Sequence, residues 1–353
     1  MSLFGKKKSP KEDTTKITKD HERSSKINKH LATFVLHAFV YEVVAKRFLP
    51  KVHKWLHNRM TTNKVLGVIP ARYNSTRFPG KPLADLCGNP MIWHTYTNAK
   101  KSNCFDELVV ATDDERIAEC VRDFGGKVVM TSESCNNGTE RCLEVLQHLG
   151  EKNYDIVVNV QGDEPFIESE HVEKVVDCIR SGIEAGDASV VMGTLARPAN
   201  LNDSEDVTNV NNVKVVLDKT NNALYFSRAM IPYNKRGKYD PKVSFCLFVD
   251  FSHWHVARLC LFLTLGLLSP TLKCLYWRKL GIYAYRASFL NTYVNEMPQS
   301  LLQKQEDLEQ NKVIEAGYKI KVGLVEKAVH GVDTPEQLRH LNGMLKTKKG
   351  IYI

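Results

Sequence analysis

From Lys64 onward, short apolar runs alternate with segments of helical spacing, and this rhythm limits the possible folds more than any other feature. Val65–Pro70, Leu108–Thr112, Lys127–Met130 and Asp155–Val160 read as strands, the last with the β-branched run Ile156-Val157-Val158. Met91–Lys101, Glu115–Phe124, Thr139–Leu149 and His171–Ile183 carry apolar residues at helical intervals. Buried strands separated by amphipathic helices predict an α/β fold on a parallel sheet. Further strands are expected at Ser189–Thr194, Val213–Leu217, Ala223–Phe226, Leu280–Tyr285 and Lys319–Leu324. A final helix should follow Thr334-Pro335, where Thr can cap and Pro fits the first turn.

Charge separates a leader from this body. The net charge is +9, and residues 1–63 hold all of it, with fourteen Lys/Arg against five Asp/Glu. A neutral body argues against a nucleic-acid reader, which needs a basic face for phosphates. Residues 1–30 are polar and lysine-rich, which favours disorder. The apolar run Leu31–Val44 is shorter than the roughly 20 residues a bilayer span requires. Two readings remain for it: a membrane-surface or organelle-directing helix, or a leader helix packed on the body. Nine cysteines with no C-x-x-C pair disfavour zinc. An odd count without a secretory signal fits a reducing compartment, the cytoplasm or an organelle. Most of these cysteines are expected as buried apolar residues.

Four constellations carry chemistry. The run Pro70 to Pro82 follows the first strand directly, where α/β folds place nucleotide phosphates, and brings Arg72, Arg77 and Lys81. Three cations suit a triphosphate and a departing pyrophosphate. The run is neither a Walker loop nor a G-x-G-x-x-G turn; a solvated basic loop is the alternative reading. The run Asn159 to Pro165 delivers Asp163 to a Gly-flanked turn, where a carboxylate can hold Mg²⁺; Glu164 would only brace the loop. Asp333, ahead of the final helix, could be a second metal carboxylate or only a helix cap. The last group comprises Gly138-Thr139-Glu140-Arg141, Tyr225-Phe226-Ser227-Arg228 and the stretch Gln305 to Gln310. Each has an ordinary explanation alone, as cap, strand and solvated face.

In order along the chain, V-I-P-A-R-Y-x-S-T-R-x-P-G-K-P-L, A-T-D-D-E-R-I-A, M-T-S-E-S-x-x-x-G-T-E-R, V-x-N-V-Q-G-D-E-P, V-K-V-V-L-D, A-L-Y-F-S-R-A-x-I-P, L-G-I-Y-A-Y-R-A-x-F and G-V-D-T-P-E-x-L closely resemble the 3-deoxy-manno-octulosonate cytidylyltransferases, or CMP-Kdo synthetases. The likeness runs from about Lys64 to Leu345, apart from 243–273. CMP-sialate synthetases share the P-A-R start but not the R-x-P-G-K-P continuation. The resemblance implies a nucleotide-diphosphosugar-transferase type α/β fold, Rossmann-like, with a mainly parallel mixed sheet flanked by helices, in a homodimer. It implies transfer of CMP from CTP to 3-deoxy-D-manno-octulosonate (Kdo), with Mg²⁺ as cofactor and pyrophosphate leaving. By the same resemblance Ala71, Arg72, Arg77 and Lys81 form the CTP loop, and Thr139, Arg141 and Gln161 contact cytidine or ribose. Asp163 and Asp333 are the metal carboxylates, while Arg228, Tyr283, Glu309 and Gln310 hold the sugar acid. Arg72, Lys81 and Asp163 carry the catalysis.

Two departures stand out. The family usually has His before Leu280, where this chain has Lys279. The second is Val243–Lys273, a hydrophobic tract without clean period, read either as an intron translated into the predicted product or as a membrane-docking insertion. Val243-Ser244 is what the splice-donor consensus encodes in frame, and Lys273 can end in the acceptor AG. Its removal restores the loop length expected for the family. The departures leave two other readings in view: a catalytically dead scaffold, or an enzyme for another 2-keto-3-deoxy sugar acid.

Overall fold

The computed structural model describes residues 63–75, 77–199, 208–233, 235, 277–326 and 331–347. The leader and the 243–273 tract lie outside the described residues.

The expected alternation is present. Strand β1 (Val65–Pro70) leads through a short ribbon, β2 (Asp85–Leu86) and β3 (Asn89–Pro90), to helix α1 (Met91–Lys100). Then follow β4 (Glu107–Thr112), α2 (Glu115–Asp123), β5 (Val128–Met130), α3 (Gly138–Leu149), β6 (Ile156–Asn159) and α4 (Ser169–Glu184). The second half contains β7 (Val190–Pro198), β8 (Lys214–Leu217), β9 (Ala223–Ser227) and β10 (Trp277–Arg286). It closes with α5 (Ala287–Asn291), α6 (Leu301–Glu306), α7 (Asn311–Glu315), β11 (Lys319–Leu324) and α8 (Pro335–Thr347).

The helix starts follow from local chemistry. The Asp114 carboxylate accepts the Arg116 N–H to open α2. The Asn137 side chain accepts from Thr139 and Glu140 to open α3. Each such bond satisfies a donor that the helix itself leaves unpaired.

The sheet order is β11-β7-β10-β6-β1-β4-β5, with β8 paired to β10 and β9 paired to β8. Strands β6, β1, β4 and β5 run parallel, as does β11 beside β7. Strand β10 is antiparallel to both β6 and β7, so the sheet is mixed. Alternate residues feed opposite layers. Leu66, Val68, Val109 and Val157 pack with Cys142, Leu146 and Tyr293. Val65, Ile69, Val110 and Val158 pack with Ile92, Ile117 and Val175. The sheet is thus sandwiched between α1, α2 and α4 on one face and α3 and α5 on the other. The apolar strand pattern reflects this burial on both faces.

The cysteine expectation needs correcting. Among the described residues only Cys142 and Cys178 are buried; Cys104, Cys120 and Cys135 are half-buried and Cys87 is exposed. Cys87, Cys104 and Cys135 lie in connections between elements and Cys120 on the open flank of α2, where chain is only partly covered. Burial pushes the Cys104 thiol up to about 11 and the Cys178 thiol up to about 12. Both therefore stay protonated near neutrality and are not nucleophiles. No helix among the described residues is long and apolar enough to cross a membrane.

Ile282 tests the architecture, because it is fully buried at the centre of the antiparallel strand β10. Ile282→Ala should destabilise the chain by about 2–5 kcal/mol, read as a lowered urea denaturation midpoint.

Candidate active site at the carboxyl edge of the sheet

The four parallel strands β6, β1, β4 and β5 end at one edge, and register decides what joins them there. Tyr283 of β10 pairs with Asn159, the last residue of β6, so the first half of β10 extends beyond that edge. Tyr283 also pairs with Thr194, and β7 runs on to Pro198 beside the projecting half of β10, with β11 parallel to it.

The loop after β1 is tied back on itself. Ala71 donates to Ala111 at 2.9 Å, and the Tyr73 carbonyl accepts from both Ser75 and Gly80 at 2.9 Å. The Arg116 guanidinium lies 3.3 Å from the centre of the Tyr73 ring, which fixes the loop base by a cation–π contact. Arg72 and Arg77 remain exposed, whereas the Lys81 side chain is only 13% exposed and points inward.

The loop after β6 crosses directly beneath β1. A Cβ on Gly162 would sit 2.6 Å from the Pro70 carbonyl oxygen, so only glycine fits there. From α1, Thr95 donates to the Gly162 carbonyl at 3.2 Å and Asn98 to the Pro165 carbonyl at 2.7 Å. The Asp163 carbonyl in turn accepts the Val332 N–H at 2.9 Å, which draws the approach to α8 into the same place.

Three segments distant in sequence thus meet on one ammonium group. Lys81 Nζ lies 2.7 Å from Asp163 Oδ2 and 3.6 Å from Asp333 Oδ1, and Arg77 reaches the same Asp333 oxygen at 3.4 Å. The capping alternative for Asp333 is not what is seen. Thr334 Oγ1 accepts the Gln337 N–H at the start of α8, which leaves the Asp333 carboxylate for the cations. Two carboxylates that share one cation also suit a hard divalent ion, which takes one or two carboxylates and completes its shell with phosphate oxygens or water. Among the described residues no group of three or more His, Cys, Asp or Glu gathers as a metal cage.

Glu164 does more than brace the loop. It is buried, its Oε2 has no hydrogen-bond partner, and a Cβ on Gly281 would meet its Oε1 at 2.3 Å. Burial first, and then the neighbouring Asp163 charge, push its carboxyl up to about 8, with Lys279 opposing. Glu164 is therefore largely protonated at neutral pH and adds little negative charge to the Asp163–Asp333 pair.

The other expected residues fall into two connected groups and one outlier. Thr139, at the start of α3, has its hydroxyl 3.4 Å from the Tyr285 hydroxyl and 3.4 Å from Glu309 Oε2. Gln161 donates to Asn159 at 3.2 Å. Tyr293 donates to Glu309 at 3.1 Å, and burial raises both Tyr285 and Tyr293 so that each keeps its proton. Gln310 is buried with its Nε2 unpartnered. Lys279 donates to the Tyr283 hydroxyl and lies 4.5 Å over that ring, at a register irregularity of β10. The expected nucleotide and sugar contacts therefore adjoin through Thr139 and Glu309 and through Asn159 and Tyr283.

Arg141 is buried against Asp113 at 2.6 Å and Thr131 at 2.6 Å. Breaking such a pair costs about 3–5 kcal/mol, so Arg141 has a structural role whatever else it contacts. Arg228 is the outlier: its guanidinium donates to the carbonyls of Glu306 at 2.7 Å, Asp307 at 3.1 Å and Val210 at 3.3 Å. Sequence reasoning missed Asp113, Tyr285, Tyr293 and Glu306 as contributors. Asp113 and Tyr285 stand inside recognised motifs, but no local signal marks either as the partner of a site residue.

The comparisons agree with this geometry. The family model described as cytidylyltransferase matches residues 66–320. The Arabidopsis thaliana protein named "3-deoxy-manno-octulosonate cytidylyltransferase, mitochondrial" is 44% identical over 286 residues, covering 81% of this chain and 84% of that protein. The Parabacteroides distasonis 3-deoxy-manno-octulosonate cytidylyltransferase is 43% identical, over 78% of this chain and 95% of its own length. A solved structure of CMP:2-keto-3-deoxy-manno-octonic acid synthetase complexed with CTP superposes with a TM-score of 0.64 at 34% identity, covering 81% of this chain and 100% of that one. With long motifs in family order, a matching sheet and relatives covered over most of their lengths, the chain belongs to the cytidylyltransferase family, among the 3-deoxy-manno-octulosonate cytidylyltransferases.

Proposed function

We propose that this chain transfers CMP from CTP to the anomeric oxygen of Kdo, forming CMP-Kdo and releasing pyrophosphate. The observation that carries the reading is the meeting of Lys81, Asp163 and Asp333 on one ammonium group at the carboxyl edge of the sheet. In-line attack on an α-phosphorus needs charge neutralisation and alignment more than covalent help from the protein. Asp163 and Asp333 would hold Mg²⁺, which when bound would offset phosphate charge and polarise the reacting phosphoryl group. Lys81 offsets the same two carboxylates and can stabilise negative charge on the departing pyrophosphate. Arg72, exposed on the loop, and Arg77, exposed and reaching Asp333 at 3.4 Å, would close over the outer phosphates. Thr139 and Gln161 orient the nucleoside, while Tyr283, Glu309 and Gln310 hold the sugar acid. Lys279, in place of the family's usual imidazole, donates to the Tyr283 hydroxyl and would offer an ammonium group to the sugar carboxylate.

We further propose a homodimer, the assembly that the family resemblance implies. Residues 1–63 act as a targeting or membrane-touching leader, in line with the mitochondrial designation of the plant relative. The 243–273 tract is read as a translated intron.

Pyrophosphate release from CTP, Kdo and Mg²⁺ tests the reaction; absence of Kdo-dependent release from any folded form would refute it. Asp163→Asn and Lys81→Met should each lower kcat by about 10²–10³-fold, with the fold unchanged by circular dichroism. The chain lacking 243–273 should turn over at least as fast as the full chain, and loss of activity on deletion would show that the tract belongs to the enzyme. Lys279→His should change KM for Kdo while leaving KM for CTP within about twofold, since only uniform binding of the sugar is altered.

A further inference from the structure

The edge of β9 opposite β8 presents backbone groups to side chains rather than to another strand at Phe226 and Arg228. Asn311 occupies this edge as a strand would. Its Nδ2 donates to the Phe226 carbonyl at 3.0 Å, and its Oδ1 accepts the Phe226 N–H at 3.3 Å. One turn of chain earlier, the Glu306 carboxylate accepts the Arg228 N–H at 2.8 Å through Oε2. Its Oε1 accepts from Ser227 Oγ at 2.6 Å and from the Tyr225 hydroxyl at 3.2 Å. The Glu306 carbonyl takes the Arg228 Nε–H at 2.7 Å.

Between these two anchors lies a short turn. Asp307 adopts a left-handed conformation (φ 50°) that ends α6, and Leu308 is buried beneath it. The turn carries Glu309 and Gln310, the residues assigned to the sugar acid. An edge strand with open N–H and C=O groups is a docking template, and here it receives both ends of that turn.

We propose that Glu306 and Asn311 are positioning residues that clamp the 307–310 turn to the edge of β9 and so set recognition of the sugar acid, with Arg228 held in place by the same turn. This inference rests on the reaction proposed above. The clamp's own bonds end on Tyr225, Phe226, Ser227 and Arg228, while the loops after β1 and β6 are held separately through Tyr73, Thr95 and Asn98; the turn meets the nucleotide side at the Glu309–Thr139 contact. The ordered carboxylate is consistent with this role. Bonds from Ser227, Arg228 and Tyr225 outweigh burial and hold Glu306 below the usual carboxylate range, so it stays ionised.

The test measures KM for Kdo and for CTP separately, with pyrophosphate release as the readout, in whichever of the full or shortened chain turns over. Calorimetric titration of Kdo into each variant gives a second readout. Glu306→Ala and Asn311→Ala should each raise KM for Kdo about tenfold or more, as expected for lost hydrogen bonds to a charged or buried group. KM for CTP should stay within about twofold. Glu306→Gln should recover part of the loss, because its amide oxygen can still accept from Ser227 while its NH₂ faces the Arg228 N–H. An unchanged KM for Kdo, or equal losses toward both substrates, overturns the clamp as a specificity device. If the alanine variants do not fold, Ser227→Ala removes the 2.6 Å bond to Glu306, along with the bond Ser227 Oγ accepts from the Ala229 N–H at 3.0 Å, and should raise KM for Kdo about threefold. A wild-type chain that binds CTP but neither binds nor turns over Kdo would refute the reaction itself, and the clamp's assignment to the sugar with it.

Discussion

Two carboxylates held against one lysine set the terms for the rest of this structure. Asp163 and Asp333 would repel one another if brought together alone, and Lys81 removes that repulsion at 2.7 and 3.6 Å. Each of the three groups depends on a different backbone device. Lys81 depends on the loop closed through the Tyr73 carbonyl, and Asp163 on the glycine that slips beneath Pro70. Asp333 depends on the Val332 bond and on Thr334 taking over the helix cap. The pair is only partly desolvated, with 32% and 45% of the side chains exposed, so solvent and ligand can reach it. That openness suits a site in which charges are exchanged with a nucleotide rather than sealed into the core.

Strand β10 links this cationic centre to the residues expected to hold the sugar acid. Its antiparallel register puts Tyr283 opposite Asn159 and Thr194, and Gly281 against the buried Glu164. A single strand therefore carries Lys279, Gly281, Tyr283 and Tyr285 past both halves of the site. The shift in register between Lys279 and Tyr283 lets the strand leave the regular ladder where the two halves meet, as bulges commonly do beside functional sites. Beyond it, the β8–β9 ribbon gives the 307–310 turn something rigid to lean on.

The parallel strands β1, β4 and β6 were readable because their two-sided burial leaves near-continuous apolar runs, and the edge strand β5 by its short β-branched run. The P-A-R loop and the Q-G-D-E-P turn were readable because they follow those strands directly. The antiparallel insertion of β10 was not, since an apolar run looks the same in either direction. Nor were the bonds that commit Arg228 to three carbonyls, because Tyr225-Phe226-Ser227-Arg228 carries no mark of what lies eighty residues on. Glu164 shows the limit within a recognised motif. Its spacing placed it beside Asp163, but only burial against Gly281 reveals a carboxyl raised to about 8.

By itself the sequence determined the alternation of strands and helices, the cationic loop after β1 and the carboxylate turn after β6. These depend on residue order over a few turns of chain, where propensity, apolar period and motif spacing act directly. Tertiary structure decided that Asp333 meets Lys81 and Arg77 rather than capping the helix, that Arg228 faces carbonyl oxygens, and that the turn carrying Glu309 and Gln310 is held on the edge of β9. Those outcomes turn on which distant segments share an edge and which polar atoms lose water there, and neither is fixed until the whole sheet has closed.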